Sequence, residues 1–203
     1  MRRPEPFRAP LGVRSGSGAV FLVGFMGAGK TCVGRALGQQ LNWTFEDLDD
    51  RIERREGRTV TDIFRDSGEA EFRRAEHHAL RSVLEEVNGE AGRIIALGGG
   101  AFVQDGNALL LKESRLPTVF LYAPVEELWR RCSKQTSETG PRRPLQQSRE
   151  QFAQLYEKRR KFYESASFTV QTEGRTVDEV AAEIARKLAL RKIEIRIEQG
   201  EVE

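Results

Sequence analysis

The chain has 203 residues, of which 38% are hydrophobic and 32% charged, and its formal net charge is +2. This length suffices for one domain with a proper core, and no apolar stretch approaches the roughly 18 residues that a membrane span needs. The small net charge, with acidic and basic residues interleaved, gives no argument for a nucleic-acid partner. Two cysteines, Cys32 and Cys132, exclude a disulfide framework and suit a reducing, cytoplasmic setting, and we interpret Cys32 as a small packing residue.

Both ends of the chain differ in pattern from its middle. Residues 1–18 are rich in proline, glycine, serine and arginine without hydrophobic periodicity, which predicts a flexible N-terminal extension. Residues 191–203 form a C-terminal tail whose first part, 191–198, alternates polar and apolar residues at strand period. Such a segment could add an edge strand, pair with a second subunit or fray. A single domain is therefore expected over 19–190.

The first predicted elements frame a phosphate-binding loop. The apolar run 19–23 is typical of a buried parallel strand, and a helix is predicted at 30–41. Between them, residues 24–31 read Gly-Phe-Met-Gly-Ala-Gly-Lys-Thr, which is the Walker A spacing. Backbone N–H groups of such a loop point at phosphate oxygens, while Lys30 can reach the β- and γ-phosphates and Thr31 can ligate Mg²⁺.

Carboxylates follow the second predicted strand, 43–46. Asp47 and Asp49 come at its end, where the ligands of open α/β sheets gather, and their spacing in an extended segment puts both on one face. Capping of a following helix is the structural alternative. Asp50 can serve as that cap alone, so we expect Asp47 and Asp49 to be functional.

A helix predicted at 69–88 carries Arg73 next to its apolar stripe, near the boundary of the core. Glu69 and Glu76, four residues before and three after, are placed to hold the guanidinium of Arg73. Arg74 is expected to face solvent. The next strand, 93–97, ends without a Walker B acid.

Three glycines, Gly98, Gly99 and Gly100, follow that strand instead. They leave a bare backbone against which a small ligand can lie closely. A tight turn is the alternative, although one or two glycines would normally be enough for it.

The second half of the chain continues the alternation of strands and helices and contains a polar interruption. Residues 133–141 are polar by composition and are followed by Arg142-Arg143-Pro144-Leu145. A polar segment with arginines at 133–148 predicts a mobile lid between two helices, with a plain surface loop as the alternative. The remaining predicted elements are helices at 105–112, 125–133, 149–164 and 176–190 and strands at 118–122 and 168–170. This order predicts an α/β fold with a five-stranded parallel sheet and helices on both faces.

Taken together, these motifs resemble the shikimate kinase family over about residues 19–189. The landmarks, in chain order, are the loop 24–31, Asp47-Leu48-Asp49, Asp62-Ile63-Phe64, Gly68-Glu69-Ala70-Glu71-Phe72-Arg73-Arg74-Ala75-Glu76, Gly98-Gly99-Gly100 and Arg143-Pro144-Leu145. The resemblance implies a nucleoside-monophosphate-kinase-like P-loop fold with sheet order 2-3-1-4-5, a substrate-binding region at about 47–80 and a lid. It also implies an enzyme that transfers the ATP γ-phosphate to the 3-hydroxyl of shikimate, a step toward aromatic amino acids. We expect this enzyme to be a monomer.

The resemblance further implies the site residues. Nucleotide contacts would come from Gly27, Ala28, Gly29, Lys30, Thr31, Cys32, Arg131, Arg143 and Arg175. Shikimate contacts would come from Asp49, Arg73, Gly98, Gly99, Gly100 and Arg159. Mg²⁺ would be held by Thr31 and, through water, by Asp47. The catalytic residues would be Lys30, Asp49 as the base for the acceptor hydroxyl, and Arg143 closing from the lid.

The sequence departs from the family pattern at two places, and each departure leaves an alternative residue assignment. Two other functional hypotheses also remain. The lid is several residues longer than usual, so Arg142 is an alternative to Arg143, and Lys161-Phe162-Tyr163 replaces the usual Pro-Leu-Tyr, so Arg160 is an alternative to Arg159. A kinase of another hydroxy acid such as gluconate is the second functional hypothesis. A nucleotide-binding switch without phosphoryl transfer is the third.

Overall fold

The computed structural model describes residues 18–87, 92–139 and 148–190, with the backbone alone described at 135–139. The tail at 191–203, and the N-terminal extension except for Gly18, therefore lie outside the described residues. So do 140–147, which are half of the predicted lid at 133–148.

Five parallel strands form one sheet, as predicted. They are β1 (Ala19–Val23), β2 (Thr44–Asp47), β3 (Arg93–Ala96), β4 (Thr118–Tyr122) and β5 (Phe168–Gln171). Their order is β2-β3-β1-β4-β5, which confirms the order that the family resemblance implied. Every residue of β1 is fully buried, because this strand lies at the centre of the sheet with neighbours on both edges.

Seven α-helices connect and cover the strands within the described ranges. They are α1 (Lys30–Leu41), α2 (Leu48–Glu56), α3 (Val60–Glu86), α4 (Asp105–Ser114), α5 (Val125–Thr139), α6 (Arg149–Tyr163) and α7 (Val177–Lys187), with a 3₁₀ turn at Ala101–Val103. None of these described helices is both long and apolar enough to cross a membrane.

The helices lie on both faces of the sheet. The connection from β1 to β2 crosses the sheet in the opposite direction to the connection from β4 to β5. Because such crossovers are right-handed, α1 and the α5–α6 pair lie on opposite faces. Helix α7 packs beside α1. This arrangement brings the carboxyl ends of all five strands to one edge, where the candidate site lies.

Three helical segments differ from the sequence prediction. Helix α2 was not among the helices predicted, although a cap for a helix after Asp49 was considered, because only Leu48 and Ile52 give it an apolar face. Helix α3 begins at Val60, earlier than predicted, and is kinked at Gly68, whose backbone has φ 78° and ψ 174°. Helix α5 continues to Thr139, so the prediction that residues from 133 onward leave the helix was wrong for 133–139.

Candidate active site

The loop between β1 and α1 has the backbone of a phosphate cradle. Gly27 has φ 78°, and a Cβ added there would lie 2.8 Å from the carbonyl oxygen of Leu128 and 2.9 Å from Sγ of Cys132. Only glycine fits this position, because the left-handed conformation and the packing against α5 both exclude a side chain. Gly29 precedes α1, also with a positive φ, and its carbonyl accepts the N–H of Val33 at 2.9 Å. The N-terminus of α1 therefore faces the loop, as phosphate binding requires.

Two polar side chains complete this cradle. The Nζ of Lys30 donates to the carbonyl oxygens of Gly24 at 2.9 Å and Phe25 at 3.2 Å. The hydroxyl of Thr31 donates to Oδ2 of Asp47 at 3.0 Å. A hydroxyl and a carboxylate are thus paired at the start of α1, and both are oxygen ligands of the kind that Mg²⁺ prefers.

Asp47 also caps a helix, a role the sequence analysis gave to Asp50. Oδ1 of Asp47 accepts the backbone N–H of Asp49 at 3.1 Å, and Asp47 is the N-cap of α2. Asp50 is exposed within the first turn of α2. A single Asp47 carboxylate therefore anchors α2 through one oxygen and contacts Thr31 through the other, which fixes α2 relative to the phosphate cradle.

The three glycines form a turn, called here the glycine turn (98–100), that closely approaches α2 and α3. A Cβ on Gly98 would lie 2.7 Å from Oδ1 of Asp49 and 3.4 Å from Oε1 of Glu76. A Cβ on Gly100 would lie 2.6 Å from Nη1 of Arg73. The glycines are therefore required for close approach: they let Asp49, Glu76 and Arg73 meet beside a bare backbone.

Arg73 is held by two carboxylates, as the sequence spacing predicted. Its guanidinium donates to Glu69 at 3.0 Å and to Glu76 at 3.0 Å. Glu76 is completely buried, whereas Glu69 is exposed. Arg74 faces solvent, with 67% of its side chain exposed, and pairs with Glu71.

Glu76 has an unusual ionisation for an ion-paired carboxylate. Burial raises the pKa of Glu76 to about 7, against the lowering effect of Arg73, and the nearby charge of Asp49 raises it further. Two carboxyl groups and an arginine therefore share one desolvated corner. Sequence reasoning assigned Glu76 only as a partner for Arg73, and its complete burial had no local signal.

Arg159 also contacts the glycine turn. Its Nη1 donates to the carbonyl oxygen of Gly99 at 3.2 Å, and its guanidinium lies 6.0 Å from the centroid of the Phe25 ring. Among the described residues Arg159 forms no ion pair, although it is half-buried. Arg160, the alternative from the sequence, instead pairs with Glu164 at the surface.

A tyrosine that sequence reasoning missed reaches the same carbonyl. The hydroxyl of Tyr163 donates to the Gly99 oxygen, and this side chain is completely buried. Arg159 and Tyr163 are four residues apart on α6 and so lie on one face of the helix. That spacing was visible in the sequence, but nothing in it showed which backbone group the face meets.

Arg131 connects the phosphate cradle to the loop after β5. It donates to the carbonyl oxygen of Gly27 at 3.4 Å and to the hydroxyl and carbonyl oxygens of Thr172, both at 3.0 Å. Glu127 accepts from its Nε at 2.7 Å. Hydrogen bonds from Arg130 and Arg131 lower the pKa of Glu127 to about 2, so Glu127 stays ionised.

The remaining residues predicted to contact the nucleotide are Arg175, Cys32 and Arg143. The guanidinium of Arg175 contacts Glu183, the carbonyl oxygen of Gln171 at 3.1 Å and that of Glu179 at 3.1 Å, and so lies against α7. Cys32 is exposed, so its interpretation as a packing residue was wrong. Arg142 and Arg143 lie outside the described residues.

Comparison with known proteins identifies the family. A sequence model described as shikimate kinase matches residues 26–189. The chain belongs to the shikimate kinase family. A shikimate kinase of Thermus thermophilus is 41% identical over 174 residues, which cover 83% of this chain and 89% of the relative. The solved shikimate kinase of Acinetobacter baumannii in complex with shikimate has a TM-score of 0.74 and 34% identity, over 84% of this chain and 92% of that one.

A gluconokinase shares the fold with this shikimate kinase family member. The solved gluconokinase of Sinorhizobium meliloti has a TM-score of 0.52 and 19% identity, over 87% of this chain and 94% of that one. At that identity the likeness concerns the fold alone. The gluconate hypothesis therefore has no support beyond shared architecture.

Proposed function

We infer that this protein transfers the γ-phosphate of ATP to a hydroxyl of shikimate. One observation carries the inference: the glycine turn lies between the phosphate-binding loop and Arg159. A Cβ on Gly99 would be 3.8 Å from the carbonyl oxygen of Gly24, 3.8 Å from the N–H nitrogen of Met26 and 3.9 Å from Nη1 of Arg159. A small acid bound there would have its carboxylate near arginine and its hydroxyls near the transferable phosphate.

We propose that Arg73 and Arg159 bind the carboxylate of shikimate. Guanidinium groups suit this task because their planar forks match a carboxylate with two hydrogen bonds. The two arginines are prepared differently. Arg73 is oriented by Glu69 and Glu76. Arg159 has no ion-pair partner among the described residues, although its charge acts on the nearby Glu76 carboxyl.

We propose that Asp49 is the general base that accepts the proton of the acceptor hydroxyl. By family resemblance, this acceptor is the 3-hydroxyl of shikimate. Asp47 is unsuited to this role because both of its oxygens are engaged, one by the α2 cap and one by Thr31. Asp49 lies against Gly98, on the side where the ring would rest. It would accept the hydroxyl proton as the new oxygen–phosphorus bond forms and the bond to the ADP leaving group breaks.

The cradle residues fit ATP and Mg²⁺. The backbone N–H groups of Gly27, Ala28 and Gly29 and the ammonium of Lys30 suit phosphate oxygens. Thr31 and Asp47 would hold Mg²⁺, which supplies charge neutralisation on the phosphates when bound. The hydroxyl–carboxylate pair in the structure supports this fit because both groups are oxygen ligands on one side of the loop. We also propose that Arg143 closes from the lid onto the phosphates, that Arg131 lies by the adenine and that Arg175 contacts the nucleotide.

Two further features of the reaction follow from the same proposal. A lid that closes over both substrates would exclude water, so that phosphate passes to shikimate rather than being hydrolysed. We also propose that the enzyme acts in the cytoplasm, as its cysteine content predicts, and as a monomer.

ADP release from purified protein tests the proposed function. The assay supplies MgATP alone, with shikimate and with gluconate. Release that depends on shikimate is the expected result. Release with gluconate alone would keep the kinase fold and reassign the acceptor pocket, and slow release indifferent to both acids would indicate a nucleotide-binding switch.

A further inference from the structure

We propose that Tyr163 is a positioning residue for shikimate. It would hold the Gly99 carbonyl group in one orientation and thereby fix the Arg159 side chain that bonds to the same oxygen. The inference rests on the proposed function, because it concerns how the carboxylate clamp is kept in place. It concerns a side chain that does not itself have to touch the substrate.

The first argument is that two donors share one acceptor. The Gly99 carbonyl oxygen receives the Tyr163 hydroxyl and Nη1 of Arg159, the latter at 3.2 Å. A carbonyl oxygen has two lone pairs, and a guanidinium has five N–H donors. The tyrosine hydroxyl and Nη1 of Arg159 therefore fill both lone pairs of the Gly99 oxygen. Arg159 also hydrogen-bonds the Tyr163 side chain, so Tyr163 contacts both members of this group, and further guanidinium N–H donors can serve a carboxylate.

The second argument is that Tyr163 is rigid. It is completely buried, and its ring stacks on that of Phe120 with centroids 5.4 Å apart and planes at 28°. Phe120 belongs to β4, so the hydroxyl is fixed relative to the sheet rather than to the surface. A fixed donor holds the Gly99 peptide in one orientation, and with it the turn against which the substrate ring would lie.

The third argument is that Tyr163 keeps its proton. Burial raises the pKa of Tyr163 to about 12, with Arg159 opposing the rise. The hydroxyl is therefore protonated, and able to donate, at neutral pH. Its hydrogen bond to Gly99 does not switch with pH.

Helix α6 contains a matched control. Tyr156 is also buried, with 2% of its surface exposed, and its hydroxyl donates to the carbonyl oxygen of Ala123 at 3.3 Å. Burial raises the pKa of Tyr156 to about 12 as well. Tyr156→Phe and Tyr163→Phe each delete one buried hydroxyl from one helix, but only the second lies at the glycine turn.

The experiment measures KM for shikimate, KM for ATP and kcat for wild type and both variants, with thermal unfolding alongside. Phenylalanine keeps the ring that packs on Phe120, so Tyr163→Phe is expected to fold. We expect its KM for shikimate to rise about fivefold to tenfold, the equivalent of one net hydrogen bond, with KM for ATP unchanged. Tyr156→Phe is expected to change neither KM.

A double-mutant cycle with Arg159→Lys then tests the route of the effect. If Tyr163 acts through Arg159, the two fold-changes in KM do not multiply in the double variant. An active wild type whose shikimate KM is unmoved by Tyr163→Phe, or fold-changes that multiply, overturns this inference alone. A wild type without shikimate-dependent ADP release overturns the proposed function and this inference with it.

Discussion

Gly100→Ala would place a methyl group against the arginine that we assign to the substrate carboxylate. The backbone of Gly100 has φ −106° and ψ −13°, which alanine adopts without strain. The added Cβ would meet Arg73, at 2.6 Å from Nη1, 2.7 Å from Nη2 and 3.0 Å from Cζ. The perturbation therefore falls on one guanidinium and not on the chain path.

The size of the effect follows from these distances. To restore an ordinary contact of at least 3.4 Å, the guanidinium must retreat by about 0.8 Å, away from the glycine turn. A misplacement near 1 Å can cost about 100-fold in rate, so we expect kcat/KM for shikimate to fall by about 10- to 100-fold. Because the shift is confined to the end of one long side chain and alanine restricts the unfolded chain, the free energy of unfolding should change by less than about 1 kcal/mol.

Steady-state ADP release and thermal unfolding together provide the test. Gly106→Ala is the matched control: its Cβ would lie an ordinary 3.6 Å from the His77 ring, within helix α4, where alanine is favoured. It should keep full activity. If Gly100→Ala kept kcat/KM for shikimate within twofold of wild type, the guanidinium would not need its observed position, and the assignment of Arg73 to the carboxylate would be wrong.

Three other substitutions test the remaining assignments. Asp49→Asn should lower kcat by about 100-fold or more with ATP affinity retained, because the base is lost, whereas Asp50→Asn on the exposed side should leave kcat unchanged; a selective loss of ATP binding would instead assign Asp49 to the metal. Arg73→Lys should raise KM for shikimate about tenfold through loss of the guanidinium fork, with solvent-facing Arg74→Lys as control, and an unchanged KM would move the clamp elsewhere. The pKa of Glu76 is raised from 4.5 to about 7, so between these pH values the folded protein holds a proton that the unfolded chain releases. The free energy of unfolding should therefore fall as pH rises from 4.5 to about 7, by about 3 kcal/mol at most. Denaturant titrations should show this slope in wild type and not in Glu76→Gln, and parallel profiles of the two proteins would contradict the prediction.

The sheet and the phosphate cradle could be predicted from local sequence because their signals are local. The apolar run of β1, the glycine spacing and the helical pattern after it lie within 24 residues, from Ala19 to Asn42. Strands and helices that alternate at short range leave few topologies, and family resemblance supplied the order. Helix α2 was missed because a short helix with two buried residues has little periodicity to detect.

The acceptor side could be predicted only in part, because its residues come from distant segments. Arg73, Gly99 and Arg159 are brought together by α3, the turn after β3 and α6, which no local pattern relates. The choice of Arg159 over Arg160 depends on which face of α6 meets the glycine turn. Asp47 rather than Asp50 caps α2, with its carboxylate accepting the Asp49 N–H. The same carboxylate also accepts from the Thr31 hydroxyl, a contact between distant segments that exists only in the folded protein.

By itself, the sequence determined the phosphate chemistry, since a loop of glycines ending in Lys30 and Thr31 carries its geometry in adjacent residues. The tertiary structure decided the electrostatics around Asp49, Arg73 and Glu76, where the acceptor is proposed to bind. Glu76 is an ordinary helical glutamate in sequence, and only packing removes it from water, beside Asp49 and Arg73, where its pKa rises. Burial is a property of the assembled fold, and desolvation, unlike hydrogen-bonding capacity, cannot be read from a residue and its neighbours along the chain.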